Sequence, residues 1–297
     1  MSLPDEPLGR PDAWPAPGKL NLFLHVVGRR ADGYHLLQTA FQFIDLCDDL
    51  HFWARRPGVI ERLGELPGIP PDVDLTVRAA RCLADTRPGL ALGVAIEVRK
   101  RLPMQGGVGG GSSDAATVLV ALNQLWDLGY SDNDLARLGL PLGADIPVFV
   151  HGRAAWGEGV GEQLTPVEFP EPVYVLVQPD VAISTAEVFK APELTRDSPV
   201  ITIRDFLMSG GRNDCEPVVR RRFPAAAQAL DWLGQFAPAR LTGTGSCVYA
   251  AMPDYDRARA VLAQLPRRWT GYVVRGLNRS PLAARLALER GGLGSGR

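Results

Sequence analysis

The sequence has few cysteines, and their arrangement does not suit a zinc site or a disulfide framework. Cys47, Cys82, Cys215 and Cys247 lie far apart, without a Cys-x-x-Cys pair and without a histidine at metal-ligand spacing. Structural zinc sites need closely spaced ligands, and small secreted scaffolds need a dense set of half-cystines. The cysteine pattern therefore argues against both classes of protein.

Long runs of one charge sign and long apolar runs are also missing. The formal net charge is −1, and the densest basic cluster is Arg220-Arg221-Arg222, which we interpret as a solvated helix end. The chain lacks the basic face with which nucleic-acid-binding proteins contact phosphates. No apolar run approaches the length of a membrane span, and the first residues lack a signal-peptide pattern. We expect a soluble, cytoplasmic protein with no nucleic-acid or membrane partner.

The chain is long and apolar enough to form more than one core. Apolar residues make up 46% of its 297 residues, a length above the usual size of one domain. Residues with strand-like alternation lie at 20–26, 94–98, 173–177, 246–251 and 272–277. Residues with helical spacing lie at 115–126, 223–236 and 255–265, and a capping-box pattern formed by Ser131 and Asp134 starts another helix. Because the pattern restarts near residue 160, we predict two domains, residues 1–160 and 161–297. The alternation of strands and helices indicates a two-layer α/β or α+β architecture.

A glycine-rich loop separates the second predicted strand from the first long helix. Its residues are Pro103, Met104, Gln105, Gly106, Gly107, Val108, Gly109, Gly110, Gly111, Ser112 and Ser113. The glycines leave backbone amides unobstructed and permit positive φ angles, so the loop can wrap an anion. The helix that follows adds free N–H groups and the positive end of its dipole. This arrangement favours a polyphosphate ligand; the alternative is a mobile loop without a ligand.

Two familiar phosphate-binding motifs do not fit this loop. A Walker A loop ends in Gly-Lys-Ser/Thr, whereas Gly111 is followed by Ser112 and Ser113. A dinucleotide-binding Gly-x-Gly-x-x-Gly motif needs a third glycine, but its two possible registers reach Ser112 and Asp114 at that position. The sequence therefore indicates a phosphate-binding loop of another kind.

Residues 103–114 resemble the ATP-phosphate loop of the GHMP kinase superfamily. Other segments narrow the resemblance to the family of 4-diphosphocytidyl-2-C-methyl-D-erythritol kinases. These are Pro-Ala-Pro-Gly-Lys-Leu-Asn-Leu at 15–22 with Arg-Ala-Asp-Gly-Tyr-His at 30–35, Leu-Gly-Ala-Asp-Ile-Pro-Val-Phe at 142–149, and Leu-Thr-Gly-Thr-Gly-Ser at 241–246. The resemblance covers nearly the whole chain, with the motifs in the expected order.

The resemblance implies an α+β GHMP kinase fold, with a ribosomal-protein-S5-like N-terminal domain, a ferredoxin-like C-terminal domain and the active site in the cleft between them. It implies transfer of the γ-phosphoryl group of ATP to the 2-hydroxyl of a cytidine-diphosphate-linked methylerythritol, in the non-mevalonate pathway of isoprenoid precursor synthesis. Mg²⁺ is expected because phosphoryl transfer develops charge, although no Walker-type pair identifies its ligands. The sequence does not decide between a monomer and a homodimer.

The resemblance also implies roles for individual residues. Lys19 would orient the acceptor hydroxyl and the γ-phosphate, and Asp145 would be the general base. Without the resemblance, Lys19 would be interpreted as a solvated surface charge and Asp145 as a helix cap. The implied substrate-side residues are Asn21, Tyr34, His35, Thr185, Phe189 and Lys190. Among these, the aromatic residues would hold the cytosine, whereas by default they would belong to the core.

Two positions depart from the family pattern. Asp74-Leu75 stands where the adenine-contacting segment commonly has Asn-Leu, and Gln105 stands where a smaller residue is usual. Because of the first departure, we do not assign an adenine contact to this segment. The second alters how closely the loop approaches the phosphates.

Two other functions stay open at this point. One is another GHMP kinase that acts on homoserine, a mevalonate derivative or a sugar, and Tyr34, His35 and Phe189 argue against it. The other is a catalytically silent nucleotide-binding relative, against which the presence of both Lys19 and Asp145 argues.

Overall fold

The computed structural model describes residues 6–293 and contains both strands and helices. The strands are β1 (Trp14–Arg29), β2 (His35–Ala54), β3 (Ile60–Leu63), β4 (Val94–Arg99), β5 (Ala155–Glu158), β6 (Gln163–Pro166), β7 (Val173–Gln178), β8 (Arg240–Leu241), β9 (Val248–Met252) and β10 (Thr270–Leu277). The helices are α1 (Leu75–Ala84), α2 (Gly110–Leu125), α3 (Asp132–Gly139), α4 (Ile146–His151), α5 (Thr185–Lys190), α6 (Ile203–Ser209), α7 (Glu216–Arg222), α8 (Pro224–Gly234), α9 (Tyr255–Leu262) and α10 (Pro281–Leu293). Each segment predicted above falls on an element of the predicted type.

The strands form one continuous mixed sheet. Its order is β3-β4-β2-β10-β7-β9-β8, with β1 and β5 also paired to β2, and β6 paired to β5. Strand β10 joins the two halves of the chain, because Gly276 and Leu277 pair with β2 while residues 270–275 pair with β7. The two halves are therefore connected through backbone hydrogen bonds as well as side-chain packing.

The hairpin of β1 and β2 is long, antiparallel and irregular. Its register shifts between Pro17 and Lys19, between Asn21 and Phe23, and again further along. Register shifts of this kind bend a strand and redirect its side chains. Two of them flank Lys19 and Asn21, and the strand thereby directs both polar side chains into the cleft described below.

The side chains pack into two main cores. The first core packs β1, β2 and β4 against α1, α2, α3, α4 and α10. The second packs β7 and β9 against α5, α7, α8 and α9. A smaller cluster, which includes Val108 of the glycine-rich loop and Tyr174 and Tyr249 of the second half, lies between them. The predicted boundary at residues 160/161 stays a prediction; α10, beyond it, packs Leu282 into the first core.

Helix α2 begins inside the predicted loop, at Gly110 rather than after Asp114. Its N-cap, Gly109, has a φ of 74°. This left-handed conformation carries little penalty for glycine, which lacks a Cβ atom. The last glycines and both serines of the loop thus form the first turn of the helix, where free N–H groups point outward.

Two expectations from composition concern cysteines and membrane spans. All four cysteines are free thiols. Within residues 6–293, no helix has the length and apolar character that crossing a membrane requires.

Candidate active site

A cleft of about 800 Å³ lies between the two halves of the chain. One wall is formed by the β1–β2 hairpin and the glycine-rich loop. Helix α5, the turn at residues 243–244 and the N-terminus of α4 supply the rest of the lining. A volume of this size suits a ligand of substrate dimensions.

The cleft brings together most residues that the sequence singled out. All the predicted catalytic and substrate-side residues line it: Lys19, Asn21, Tyr34, His35, Asp145, Thr185, Phe189 and Lys190. The loop residues that line it are Gln105, Gly107, Gly109, Gly110, Gly111 and Ser112.

The other predicted loop residues lie elsewhere. Pro103 and Met104 line a second cavity of about 490 Å³. Gly106 faces Cys247, whose sulfur would lie 2.5 Å from an added Cβ atom. Val108 and Ser113 are fully buried. Their burial makes these two residues supports of the loop rather than part of its ligand-facing surface.

Lys19 and Asp145 form an ion pair in the cleft. Nζ of Lys19 lies 3.3 Å from Oδ2 of Asp145, and the two side chains are 5% and 32% exposed. The ammonium also donates to Oδ1 of Asn21 and lies 5.5 Å from the ring centroid of Phe41. Lys19 is thus buried and constrained, which the interpretation as a solvated surface charge does not explain.

Asp145 occupies the N-cap position of α4 without capping it. Its side chain accepts no capping hydrogen bond from that helix. The carboxylate faces Lys19 instead, and a third of its surface stays open to the cleft. An acid in this position can both accept a proton from a bound hydroxyl and hold the lysine in place.

Hydrogen bonds connect β1, the glycine-rich loop and the turn after β8. The backbone N–H of Lys19 donates to the carbonyl of Val108, 3.0 Å away. The N–H of Asn21 donates to Oγ1 of Thr242 at 3.0 Å, and that hydroxyl donates to the carbonyl of Gly107 at 3.2 Å. The loop is therefore anchored to both halves, which argues against the alternative of a mobile loop.

The glycines of the loop have different reasons to be glycine. A Cβ atom at Gly107 would lie 2.2 Å from the carbonyl oxygen of Thr242, and one at Gly109 would lie 2.8 Å from the ring of Phe149. Both residues have a φ of +74°. Gly111 differs, because its Cβ atom would meet only Leu75, at 3.6 Å, on the cleft side. Gly107 and Gly109 are required by the fold, whereas Gly111 leaves space for a ligand.

Aromatic side chains form the wall at the α5 end of the cleft. The rings of His35 and Phe189 are stacked, with centroids 5.2 Å apart and planes inclined by 26°. Nε of Arg196 donates to Nε2 of His35 at 3.1 Å. Tyr34 is 65% exposed beside them. A flat, partly apolar wall of this kind suits a planar base, although the assignment of cytosine to it stays a prediction.

The sequence analysis missed a buried charged cluster beneath the loop. Lys100 donates to Oδ2 of Asp48 and, at 2.7 Å, to Oδ2 of Asp114. Oδ1 of Asp48 also accepts the N–H of Leu102, at 2.8 Å. The cluster ties the end of β4 to the first turn of α2, which are the two ends of the glycine-rich loop. The basic run at residues 99–101 was the one signal in the sequence.

Asp114 is the weakly satisfied member of this cluster. Among the described residues, its Oδ1 atom has no hydrogen-bond partner. Burial, together with the carboxylate of Asp48, raises the pKa of Asp114 to about 8, while the nearby Lys100 acts in the opposite direction. Two carboxylates share one ammonium here, so retention of a proton by Asp114 avoids a second buried negative charge.

This proton makes stability depend on pH. The raised pKa means that folded Asp114 keeps a proton which the unfolded chain releases above about pH 4, so stability falls as pH rises from about 4 through 8. Asp114→Asn removes this titration and keeps a neutral side chain of the same shape. We expect the gain in Tm to grow with pH, from near zero at about pH 4 to several degrees at about pH 8.5, measured by thermal unfolding.

The matched control for this prediction is Asp48→Asn. The carboxylate of Asp48 accepts hydrogen bonds from Lys100 and from two backbone N–H groups. Its removal should therefore lower the Tm throughout this pH range. A difference in Tm between Asp114→Asn and the parent chain that stays constant with pH would argue against a protonated Asp114.

The two positions that depart from the family pattern are both ordered. Oδ1 of Asp74 accepts the N–H of Thr76 at 2.8 Å, and its Oδ2 pairs with Arg62 at 2.6 Å, with both charged side chains 4% exposed. Asp74 therefore caps α1, and it is buried with both oxygens engaged within the protein. Gln105 adopts a left-handed conformation, with φ of 54°, and lines the cleft.

Comparisons with known proteins identify the relatives of this chain. Residues 74–153 match the model of the GHMP kinases N terminal domain, and residues 195–271 match that of the GHMP kinases C terminal. The 4-diphosphocytidyl-2-C-methyl-D-erythritol kinase of Nitrosococcus oceani is 60% identical over 91% of this chain and 96% of its own length. The protein of the same name from Halorhodospira halophila is 58% identical over 92% and 96%.

A solved structure supports the same assignment. The crystal structure of a 4-(cytidine 5'-diphospho)-2C-methyl-D-erythritol kinase has a TM-score of 0.76 and 30% identity, covering 89% of this chain and 98% of that chain. The mevalonate kinase of Methanococcus jannaschii, with a TM-score of 0.64 and 17% identity, shares the fold alone. The predicted α+β GHMP kinase fold is confirmed. With the buried Lys19–Asp145 pair, the anchored glycine-rich loop and these identities together, the chain belongs to the 4-diphosphocytidyl-2-C-methyl-D-erythritol kinase family of the GHMP kinases.

Proposed function

We propose that this protein transfers the γ-phosphoryl group of ATP to the 2-hydroxyl of 4-diphosphocytidyl-2-C-methyl-D-erythritol, in the methylerythritol phosphate pathway of isoprenoid precursor synthesis. The observation that carries the proposal is the Lys19–Asp145 ion pair, which lies in one cleft with the glycine-rich loop and with the aromatic wall of His35 and Phe189. The ion pair supplies the catalytic groups, the glycine-rich loop a site for the phosphates, and the aromatic wall a site for the nucleobase.

In this proposal, Asp145 accepts the proton of the 2-hydroxyl as that oxygen attacks the γ-phosphorus of ATP. The bond between the γ-phosphorus and its bridging oxygen breaks, and ADP leaves. Lys19 holds the acceptor oxygen and the γ-phosphate together and stabilises the negative charge that develops between them. Asn21 keeps the ammonium in place, since Nδ2 of Asn21 donates to Oγ1 of Thr39 at 2.8 Å and leaves Oδ1 for Lys19.

The glycine-rich loop would bind the triphosphate through backbone N–H groups at the start of α2. We propose that adenine occupies the adjoining cavity of about 490 Å³, because Pro103 and Met104, at the beginning of the loop, line it. This placement requires no contact between adenine and the carboxylate of Asp74. It is therefore compatible with the bonds of that carboxylate to α1 and to Arg62.

Mg²⁺ fits the oxygen donors that the cleft offers. Within residues 6–293 no three acidic, histidine or cysteine side chains are grouped to hold a metal. Mg²⁺ that arrives with ATP needs only one or two protein oxygens besides phosphates and water. Ser112, which lines the cleft at the start of α2, would provide one of these oxygens. When bound, the ion would neutralise charge on the β- and γ-phosphates.

We also propose a cytoplasmic location, where ATP is supplied, and a small molecule as the only substrate besides ATP. The expectation of no nucleic-acid partner stays a prediction, as does the choice between a monomer and a homodimer.

Removal of the Phe189 ring should weaken the acceptor substrate selectively. Stacking of a base on an aromatic side chain contributes about 1–3 kcal/mol in single-strand binders, so Phe189→Ala should raise the substrate Kd about tenfold or more. The Kd of ATP should stay nearly constant, because Phe189 belongs to α5 and not to the glycine-rich loop. Calorimetric titration with each ligand measures both values.

The control for this prediction is Phe236→Ala, which removes a ring that packs on the second core away from the cleft. It should leave both Kd values unchanged. Equal substrate binding by the parent chain and a folded Phe189→Ala variant would mean that the base binds elsewhere.

A coupled assay of ADP release tests the proposed function across a panel of acceptors. We expect turnover with the cytidine-diphosphate-linked substrate and little with homoserine, mevalonate or galactose. Preferred turnover of another acceptor would identify a different GHMP kinase activity, and no ADP release with any acceptor would identify a silent relative.

A further inference from the structure

Arg196 is fixed against the C-terminal end of α5. Its guanidinium donates to the backbone carbonyls of Phe189 at 3.1 Å, Ala191 at 2.7 Å and Leu194 at 3.0 Å. Its Nε donates to Nε2 of His35 at 3.1 Å, across 161 positions of sequence. The hydrogen bonds to these carbonyls fix the orientation of the guanidinium. The backbone around α5 therefore determines that Nε points at His35.

This bond determines which nitrogen of His35 carries a proton. A guanidinium in a protein keeps its protons and offers only donors, so Nε2 of His35 must supply a lone pair. A neutral imidazole with a lone pair on Nε2 has its proton on Nδ1. Burial, and then the charges of Arg196 and Arg29, lower the pKa of His35 and keep the ring neutral.

The Nδ1–H group is therefore the donor that His35 offers to a ligand. Within residues 6–293, Arg196 is the hydrogen-bond partner of the ring, and it occupies Nε2. One face of the ring is stacked on Phe189, and the residue lines the cleft. Both pyrimidines have an acceptor at O2, but only cytosine has one at N3, so discrimination requires Nδ1–H to face N3. Uracil carries an N–H group at N3, which would oppose the N–H of Nδ1.

We propose that Arg196 is a positioning residue that fixes the Nδ1–H tautomer of His35 and thereby makes the cleft prefer cytosine to uracil. The inference rests on the proposed function, because it takes a pyrimidine-diphosphate substrate as the ligand beside His35. Arg196 acts through His35 and the α5 backbone, and it needs no contact with the substrate.

The tautomer is measurable without substrate by ¹⁵N NMR of the imidazole nitrogens. The chain has four histidines, and the spectrum of His35→Gln identifies the signals of His35. We expect Nδ1–H in the parent chain and in Arg196→Lys, which keeps a donor-only cation. We expect a shift toward Nε2–H in Arg196→Met. A parent chain with the proton on Nε2 would overturn the proposal, as would an unchanged tautomer in folded Arg196→Met.

The base preference is measured as the ratio of kcat/KM for the cytidine-linked substrate to that for its uridine-linked analogue. Arg196→Met should lower this ratio about tenfold or more, about 1.4 kcal/mol, through KM rather than kcat. Arg196→Lys should restore most of it. If the tautomer of His35 switches in Arg196→Met while the ratio of the two kcat/KM values stays constant, His35 does not select the base. That result would overturn the proposal.

A second variant keeps the test valid if Arg196→Met fails to fold. His35→Asn leaves the α5 contacts of Arg196 intact and places a side-chain amide near the position of Nδ1. That amide can turn either its NH₂ or its oxygen to the base, so the ratio should again fall, and an unchanged ratio would overturn the proposal. If the parent chain turns over neither the cytidine-linked nor the uridine-linked substrate, the proposed function and the base preference are both refuted. The tautomer measurement would still show whether Arg196 fixes the protonation of His35.

Discussion

Asp145→Asn is expected to lower kcat by about 10²–10⁴-fold while the Kd values of ATP and of the acceptor substrate change little. Asparagine keeps the size of the side chain and can still contact Lys19, but it cannot accept the proton of the 2-hydroxyl. Because the transition state of phosphoryl transfer is loose, positioning and charge stabilisation account for the activity that would remain. Single-turnover kinetics with calorimetric Kd values separate the chemical step from binding.

The partner variant for this prediction is Lys19→Met. It should also abolish most turnover, and the double variant should be far from additive because the two side chains, 3.3 Å apart, act as a unit. Asp180→Asn, an exposed aspartate outside the cleft, is the control and should keep the parent kcat. An Asp145→Asn enzyme within a few-fold of the parent would leave Asp145 with a structural role.

Gly111→Val is expected to weaken ATP binding by about 100-fold, about 2.7 kcal/mol, with little change in Tm. The structure leaves space for the added atoms, since a Cβ atom at Gly111 meets only Leu75, at 3.6 Å. That space lies in the cleft, where the proposal puts the triphosphate. Calorimetric titration with ATP and thermal unfolding together distinguish lost binding from lost folding.

Two further glycine variants make the comparison specific. Gly109→Ala places a Cβ atom 2.8 Å from the ring of Phe149 at a φ of +74°, so it should lower the Tm. Gly234→Val, at the last residue of α8 with open space around it, should change neither the Tm nor ATP binding. If Gly111→Val folds and binds ATP as tightly as the parent chain, the triphosphate does not lie along this face of the loop.

Local patterns in the sequence predict the type of each element but not its full extent. Strand β1 runs well beyond the alternation seen at residues 20–26, because its bulges interrupt the period on which such a prediction depends. Helix α2 starts at Gly110 although glycine and serine are weak helix formers. There the burial of Ala115 and its successors in the first core supports the helix, and local propensity does not show that burial.

The sequence likewise predicts only part of the candidate site. Lys19, Asp145 and the loop were identified through motifs that lie within short stretches of sequence. The bond from Arg196 to His35 and the pairing of Lys100 with Asp48 join residues far apart in the chain. Such pairs leave no periodic or spacing signal in a single sequence. The same limit applied to Asp74, whose engagement with Arg62 depends on how β3 meets the start of α1.

The position of the transferred phosphate tests the central claim most directly. In 4-diphosphocytidyl-2-C-methyl-D-erythritol, C2 bears the methyl group and the 2-hydroxyl and therefore carries no hydrogen. We predict that the purified protein, given this compound and ATP with Mg²⁺, forms a new phosphomonoester whose proton-coupled ³¹P signal has no splitting from a proton on the esterified carbon. A new ³¹P signal split by such a proton would place the phosphate on C1 or C3 and contradict the account, and so would the absence of any new phosphomonoester.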